Sequence, residues 1–190
     1  MPVGANQIRI IGGRHRGRKL RFHPVPGLRP TADRVRETLF NWLRADVSGA
    51  RCLDLFAGSG ALGFEALSRG AGHLVSVEWS RPVAERLRRN LMVLSEDRNV
   101  DVVQKEARRF LETGAEDNGG FDIVFLDPPF AAGLLAETAA LLEEREWLAS
   151  GSCIYLEQDR AHPWPDLPPS WRLDREGNAG QAAFRLYRRD

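Results

Sequence analysis

Cysteine, lysine, histidine and tyrosine are all scarce in this chain. Its 190 residues include two cysteines, four histidines, two tyrosines and two lysines, Lys19 and Lys105. Cys52 and Cys153 each sit inside an apolar stretch that reads as a buried strand, and there is no Cys-x-x-Cys or mixed Cys/His cluster. A disulfide scaffold is thereby excluded, and two inert thiols in a reducing compartment are expected. His15, His23, His73 and His162 are scattered without ligand spacing, so no metal site is expected. Long apolar runs are missing as well. The run 123–126 is far short of the roughly 20 residues that span a bilayer, and the arginine-rich start has no apolar segment of the signal-peptide kind. A soluble, unexported, cytoplasmic protein is expected. At 43% hydrophobic residues, a chain of this length can bury close to ~70% of its unfolded surface and needs no staple to fold.

Net charge is only +1, which by itself points to no acidic partner. Its distribution does. Residues 1–36 carry nine basic side chains against one acid, Asp33, a balance of +8; the other 154 residues carry 18 basic and 25 acidic, a balance of −7. A basic end on an acidic body is the footprint of contact with a phosphate backbone. Within that end, Ile8-Arg9-Ile10-Ile11, a Gly12-Gly13 break and alternation through Arg18, Lys19, Leu20, Arg21 and Phe22 predict a short basic β-hairpin. Its outward face would be almost all arginine, with Arg14, Arg16, Arg18, Lys19 and Arg21 as RNA-binding candidates. Pro24, Pro26, Gly27 and Pro30 form a stiff connector. Residues 1–30 therefore read as ribbon and connector, and residues 31–190 as the unit that carries chemistry.

From Thr31 or Asp33, either of which can cap it, a helix is predicted to run to about Asp46. After Gly49 the rhythm is strand, turn, helix. Strands are predicted over 51–56, 73–78, 100–104, 121–126 and 153–157, and helices over 61–69, 82–94, 107–113 and 134–147. Segments 171–175 and 182–188 flank a polar, glycine-containing connection and read as an antiparallel hairpin at a sheet edge. The fold class is α/β and Rossmann-like, with a seven-stranded, mostly parallel sheet, helices on both faces and an antiparallel C-terminal hairpin.

The first strand of that sheet runs into Asp54-Leu55-Phe56-Ala57-Gly58-Ser59-Gly60, a glycine-rich turn leading straight to a helix N-terminus. Such a turn lets a ligand approach the backbone, exposes amide donors, and leaves Asp54 to bond or balance a cationic group. Gly58, Gly60 and Gly63 match G-x-G-x-x-G, which alone is a weak signal shared by dinucleotide-binding folds. Glu78, at the end of the second strand, is placed to accept both hydroxyls of a ribose. Glu106, after the third, is placed near an adenine edge.

The fourth strand delivers Asp127-Pro128-Pro129-Phe130 to the same edge. An exocyclic amine on a base is conjugated with its ring, so its lone pair is a poor nucleophile. Asp127 and the Pro128 carbonyl can accept the amine's N–H groups and turn the lone pair toward an electrophilic carbon. The prolines stiffen the strand end, and Phe130 can stack on a flipped base. If the electrophile is a sulfonium methyl, the leaving group is neutral, no metal is needed, and catalysis is mainly alignment with water excluded.

With these motifs in place, the chain closely resembles class I S-adenosylmethionine-dependent amino methyltransferases, and within them the RsmD family of bacterial 16S ribosomal RNA guanine-N2 methyltransferases. The resemblance is carried by Ile8 to Gly13, Gly17-Arg18-Lys19-Leu20, Leu28-Arg29-Pro30-Thr31, Asp33 to Leu43, Ala57 to Gly63, Glu65 to Arg69, Asp127 to Phe130 and the closing stretch from Gly180 to Tyr187. It implies methyl transfer from S-adenosylmethionine to N2 of guanine 966 on a partly assembled 30S subunit. It implies a cofactor cradle of Asp54, Phe56, Ala57, Gly58, Ser59 and Gly60, with Glu78 on the ribose, Glu106 at the adenine and Asp127 beside the methyl. Arg29, Thr31 and Arg34 would close over the cofactor, and the ribbon would grip RNA phosphates. A monomer suits so small an enzyme on so large a substrate.

Three rival readings are weaker. An NAD-linked oxidoreductase fits the glycine turn and Glu78 but leaves Asp127 without a task and offers no hydride-transfer group. A DNA adenine-N6 methyltransferase faces the same chemistry but would need a target-recognition domain. A non-catalytic RNA-binding assembly factor has no need of Asp54, Glu78 and Asp127 together.

Overall fold

The structure is a computed structural model that describes residues 6–26, 30–96, 98–115, 119–129 and 133–190. Two candidate site residues, Arg29 and Phe130, lie outside the described residues.

Apolar runs build the sheet. Strands β3 (Arg51–Asp54), β4 (His73–Glu78), β5 (Val100–Gln104), β6 (Phe121–Leu126) and β7 (Leu148–Asp159) are joined by β8 (Trp171–Ala179) and β9 (Ala182–Arg189). Among the described residues these seven form one sheet in the order β5-β4-β3-β6-β7-β9-β8. Pairing is parallel from β5 through β7 and antiparallel where β9 joins β7 and β8. In β6, Ile123 and Phe125 enter one apolar cluster while Val124 and Leu126 enter the other, and all four are inaccessible to solvent. That is the pattern of a parallel strand covered on both faces. Helices α1 (Asp33–Trp42), α2 (Ala61–Ser68) and α3 (Arg81–Leu94) cover the first face through Leu39, Phe40, Leu67 and Leu87. Helices α4 (Ala107–Leu111) and α5 (Leu135–Glu144) cover the second through Phe110 and Leu142. No helix among the described residues is long and apolar enough to cross a membrane.

The basic end forms a two-stranded antiparallel ribbon, β1 (Gln7–Arg9) and β2 (Lys19–Arg21). Ile8, opposite Leu20, is buried with it and with Ile10 in the same apolar cluster as α1 and α2. The loop between the strands is pinned to the last turn of α2, where Arg14 N–H donates to the Ser68 carbonyl (2.7 Å) and His15 N–H to the Ser68 hydroxyl (2.9 Å). A carbonyl otherwise left over at a helix end is thereby satisfied.

A buried ion pair ties ribbon to body. Glu65 of α2, fully buried, accepts from the backbone N–H of Ile11 and Gly12 (2.8 Å each), from Arg69 Nε (2.8 Å) and from Arg36 (3.4 Å). Arg36 of α1, 1% exposed, also donates to the carbonyls of Arg9 and Thr31 and to Asp33.

Four expectations are corrected. Helix α1 ends at Trp42 rather than near Asp46, because Asp46 turns out to make a bidentate pair with Arg188 of β9 (3.0 Å on each oxygen). Neither Thr31 nor Asp33 caps it; Ala32 holds the cap position, with no side-chain cap bond, while Thr31 and Asp33 have other partners. Helix α5 stops at Glu144 and the chain reverses through Glu146, at φ 56°, so that β7 begins at Leu148, opposite Phe121. Ser150-Gly151-Ser152, ahead of the strand predicted over 153–157, is absorbed as an irregularity in β7 between two paired segments. Strand β8 runs on to Ala179, leaving only Gly180-Gln181 as a turn, since Glu176 finds Arg185 across the ladder (3.1 Å).

Candidate active site

The chain leaves β3 to form β4 on one side and later β6 on the other, so the crevice beyond the C-terminal ends of these strands is the topological switch point where α/β sheets bind ligands. A cleft of about 890 Å³ opens there. It is lined by Thr31, Asp54, the 56–59 turn, Glu78, Asp127 and Glu157, with Pro128, Pro129, the N-terminus of α4 and the β8–β9 turn completing its walls.

Asp54 ends β3 and is almost wholly buried. Its Oδ2 accepts from the Gly63 N–H at 3.2 Å. Burial first, then the charge of Asp127, pushes its carboxyl up to about 7 against the lowering effect of its backbone bonds. The turn that follows is held by Gly60 N–H to the Ala57 carbonyl (2.7 Å) and Ala57 N–H to the Val77 carbonyl (3.0 Å). Gly60 has φ 79°, and a Cβ there would lie 2.2 Å from the Phe64 ring; at Gly63 it would meet Leu74 at 2.9 Å. These two glycines serve the packing of α2 on the sheet.

Glu78 ends β4. Gly58 N–H donates to its Oε2 (3.0 Å) and Ser80 N–H to its Oε1 (2.7 Å), while burial pushes its carboxyl up. Each oxygen retains a lone pair for a ligand hydroxyl. Trp79, next in sequence, is 71% exposed at the rim of the cleft. Glu106 also lines the rim but is exposed and pairs with Arg109 at 3.6 Å.

Asp127 follows β6 and is half-buried, with Pro128 buried behind it and Pro129 exposed. Thr31 Oγ1 donates to its Oδ2 at 3.0 Å. Burial pushes the Asp127 carboxyl up to about 6, and the Thr31 bond opposes the rise. Arg34, by contrast, is exposed on α1 and does not line the cleft; the arginine turned inward is Arg36, whose Nε donates to the Thr31 carbonyl at 3.2 Å.

Arg14, Arg16, Arg18, Lys19 and Arg21 are all exposed on the ribbon. Arg14 is held by Glu96 (2.7 Å), which also takes His15. The other four have no carboxylate partner among the described residues. Sequence reading misses Trp79 and Glu157 altogether. Trp79 carries a local signal, an aromatic directly after a strand-ending acid; Glu157 carries none.

A parallel sheet closed by an antiparallel hairpin, with a glycine turn after β3, an acid after β4 and Asp-Pro-Pro after β6, defines the Rossmann-like methyltransferase fold. Comparison with known proteins takes this further. Residues 8–188 match the family model described as "Conserved hypothetical protein 95", and the chain belongs to that family, the RsmD family. It is 52% identical over 187 residues to ribosomal RNA small subunit methyltransferase D of Escherichia coli, covering 98% of this chain and 92% of that protein. The solved structure of yhhF from Escherichia coli superposes with a TM-score of 0.87 at 49% identity, over 97% of this chain and 98% of that one. At 17% identity the same fold recurs in an RNA methyltransferase from Salinibacter ruber solved with S-adenosyl-L-homocysteine, with a TM-score of 0.60 over 84% and 93% of the two chains.

Proposed function

We propose that the protein transfers a methyl group from S-adenosylmethionine to the exocyclic N2 of a guanine in 16S ribosomal RNA, guanine 966 in the usual numbering, acting in the cytoplasm as a monomer on a partly assembled 30S subunit. One observation carries the reading: Asp127, fixed by Thr31 at the end of β6, faces the cleft whose other end is formed by the glycine turn and Glu78. The name of the relative in Escherichia coli supports the ribosomal RNA substrate.

The residues present fit the cofactor. The described residues bring no arginine, lysine or histidine to Asp54 or Asp127, so the cleft holds carboxyls awaiting a positive charge, and its volume lies in the range of cofactor sites. S-adenosylmethionine supplies, when bound, an electrophilic methyl on a sulfonium. Glu78 would hold the ribose hydroxyls, Asp54 would balance the cationic end, and Trp79 offers a flat face at the rim. Ionised Asp127 accepts one N–H of the target amine and the Pro128 carbonyl the other. As the N–C bond forms and the C–S bond breaks, the surplus amine proton passes to Asp127 and then to solvent.

Labelled S-adenosylmethionine offered with undermethylated small-subunit particles, naked 16S RNA and duplex DNA in parallel is expected to place label in N2-methylguanosine of the RNA. Label in N6-methyladenine of the DNA would overturn the assignment. Changing Arg16, Arg18 and Lys19 together to alanine is expected to leave cofactor affinity intact, weaken RNA binding, and flatten the slope of log affinity against log salt by about 2, at roughly 0.7–0.9 for each phosphate no longer neutralised. An unchanged slope would take the ribbon out of the RNA contact.

A further inference from the structure

Among the described residues Glu157 is the one buried cleft carboxyl to which the proposed reaction assigns no task. It lies near the end of β7 and is 5% exposed. Leu126 of β6 and Leu156 of β7 are register partners in the parallel ladder, so the residues that follow them, Asp127 and Glu157, stand on adjacent strand ends about 4.8 Å apart. Both share the sheet face of Phe125 and Tyr155, and both line the cleft. Among the described residues Glu157 receives one hydrogen bond, from the buried Tyr155 hydroxyl to Oε2 at 2.7 Å. Its Oε1 takes none. On its other side β7 pairs with β9, whose turn from β8 brings Ala179, Gly180 and Ala182 to the same cleft.

This carboxyl is expensive to keep. Burial, then the neighbouring Asp127, pushes it up to about 8, and an apolar residue partnered with phenylalanine in place of Tyr155 would fill the volume without desolvating an acid. No cation among the described residues neutralises it, so its electrostatics make sense only toward a ligand that brings donors. The edge of guanine does so twice: N1–H lies beside the N2 amine, and both are donors. Adenine offers an unprotonated N1 beside its amine, and an ionised carboxylate facing that lone pair is repelled, so the discrimination belongs to the ionised form and is expected to grow as pH rises through about 8.

We infer that Glu157 is the specificity-determining residue for the target base, its Oε1 accepting the N1–H of the guanine whose N2 amine is held by Asp127. The inference rests on the guanine-N2 reading above. Tyr155 is then the residue that orients the acceptor, and the two strand ends together read a donor-donor edge.

The test replaces the target guanosine, in particles reconstituted with 16S RNA, by 2-aminopurine riboside, which keeps the N2 amine but has no N1–H. The wild-type enzyme is expected to favour guanosine in kcat/KM by at least ~100-fold, because a site built for a hydrogen bond rejects the analogue that lacks it. In Glu157→Leu that preference is expected to shrink to less than about tenfold, by loss on guanosine, with the dissociation constant for S-adenosylmethionine unchanged. Glu157→Ala gives the same readout should leucine overpack the strand end. A preference near one in the wild type, or an undiminished preference in a folded variant, overturns the inference. A wild-type enzyme that places no methyl on guanosine N2 at all instead refutes the reading on which it rests.

Discussion

Asp127→Ala is expected to lower methyl transfer to RNA by about 10³-fold, within the range seen when a positioned proton acceptor is removed, while cofactor affinity changes by less than about threefold. The separation follows from where the bonds go. The glycine turn is held by Asp54 to Gly63 and Glu78 to Gly58, and neither contact passes through Asp127. Its own hydrogen bond runs to Thr31. Removing it also relieves Asp54 of the like charge that helps raise its carboxyl. Single-turnover rates and equilibrium binding measured side by side decide the matter: equal losses in both would place Asp127 in cofactor binding. The pH profile gives a second check. With Asp127 at about 6 and the ionised form competent, the rate falls as pH drops through that value. Thr31→Val removes a bond that holds the carboxyl down, so the acid limb is expected to move to higher pH. A limb that stays put would mean that another group controls it.

Glu65→Ala is expected to destabilise the fold by about 3–5 kcal/mol, the usual consequence of stranding one partner of a buried ion pair. Alanine would leave Arg36, 1% exposed, without its carboxylate partner in α2, and would orphan the amides of Ile11 and Gly12. Against a total stability of roughly 5–15 kcal/mol this is a large share, read as a lower urea midpoint at unchanged slope. Amide exchange should accelerate first at residues 11 and 12, where the ribbon loses its anchor. A loss below about 1 kcal/mol would show that packing of Ile8, Ile10 and Leu20, rather than the carboxylate, holds the ribbon down.

Strands β4, β5 and β6 are legible to the residue, because each is an apolar or β-branched run bounded by a glycine, a helix start or a proline. Glu78 and Asp127 are legible for a related reason: strand ends in a parallel sheet converge on one edge, so an acid at a strand end is placed by topology alone. Thr31 is legible as a polar residue before a helix but not in its use, since its partner lies 96 residues away. Local capping chemistry and a distant hydrogen bond compete for the same hydroxyl, and the distant one wins. Arg36 is hidden among arginines that face solvent; only Glu65 on another helix draws it inward. Glu157 is invisible because its meaning comes from the strand beside it, and register between parallel strands is set by tertiary packing rather than by any local turn.

Three carboxyls of one cleft, Asp54 at about 7, Asp127 at about 6 and Glu157 at about 8, stand well above their ordinary values of 3.8 and 4.5. Through these three groups the folded chain binds more protons than the unfolded one between about pH 4 and 8, and their contribution to stability falls as pH rises across that window. The same linkage acts on ligands. A sulfonium entering the cleft favours an ionised Asp54 and expels a proton into the buffer, whereas the neutral thioether left after transfer favours its return. Substrate and product of the proposed reaction would thus be told apart by charge more than by shape, with alkaline conditions favouring uptake of one and release of the other.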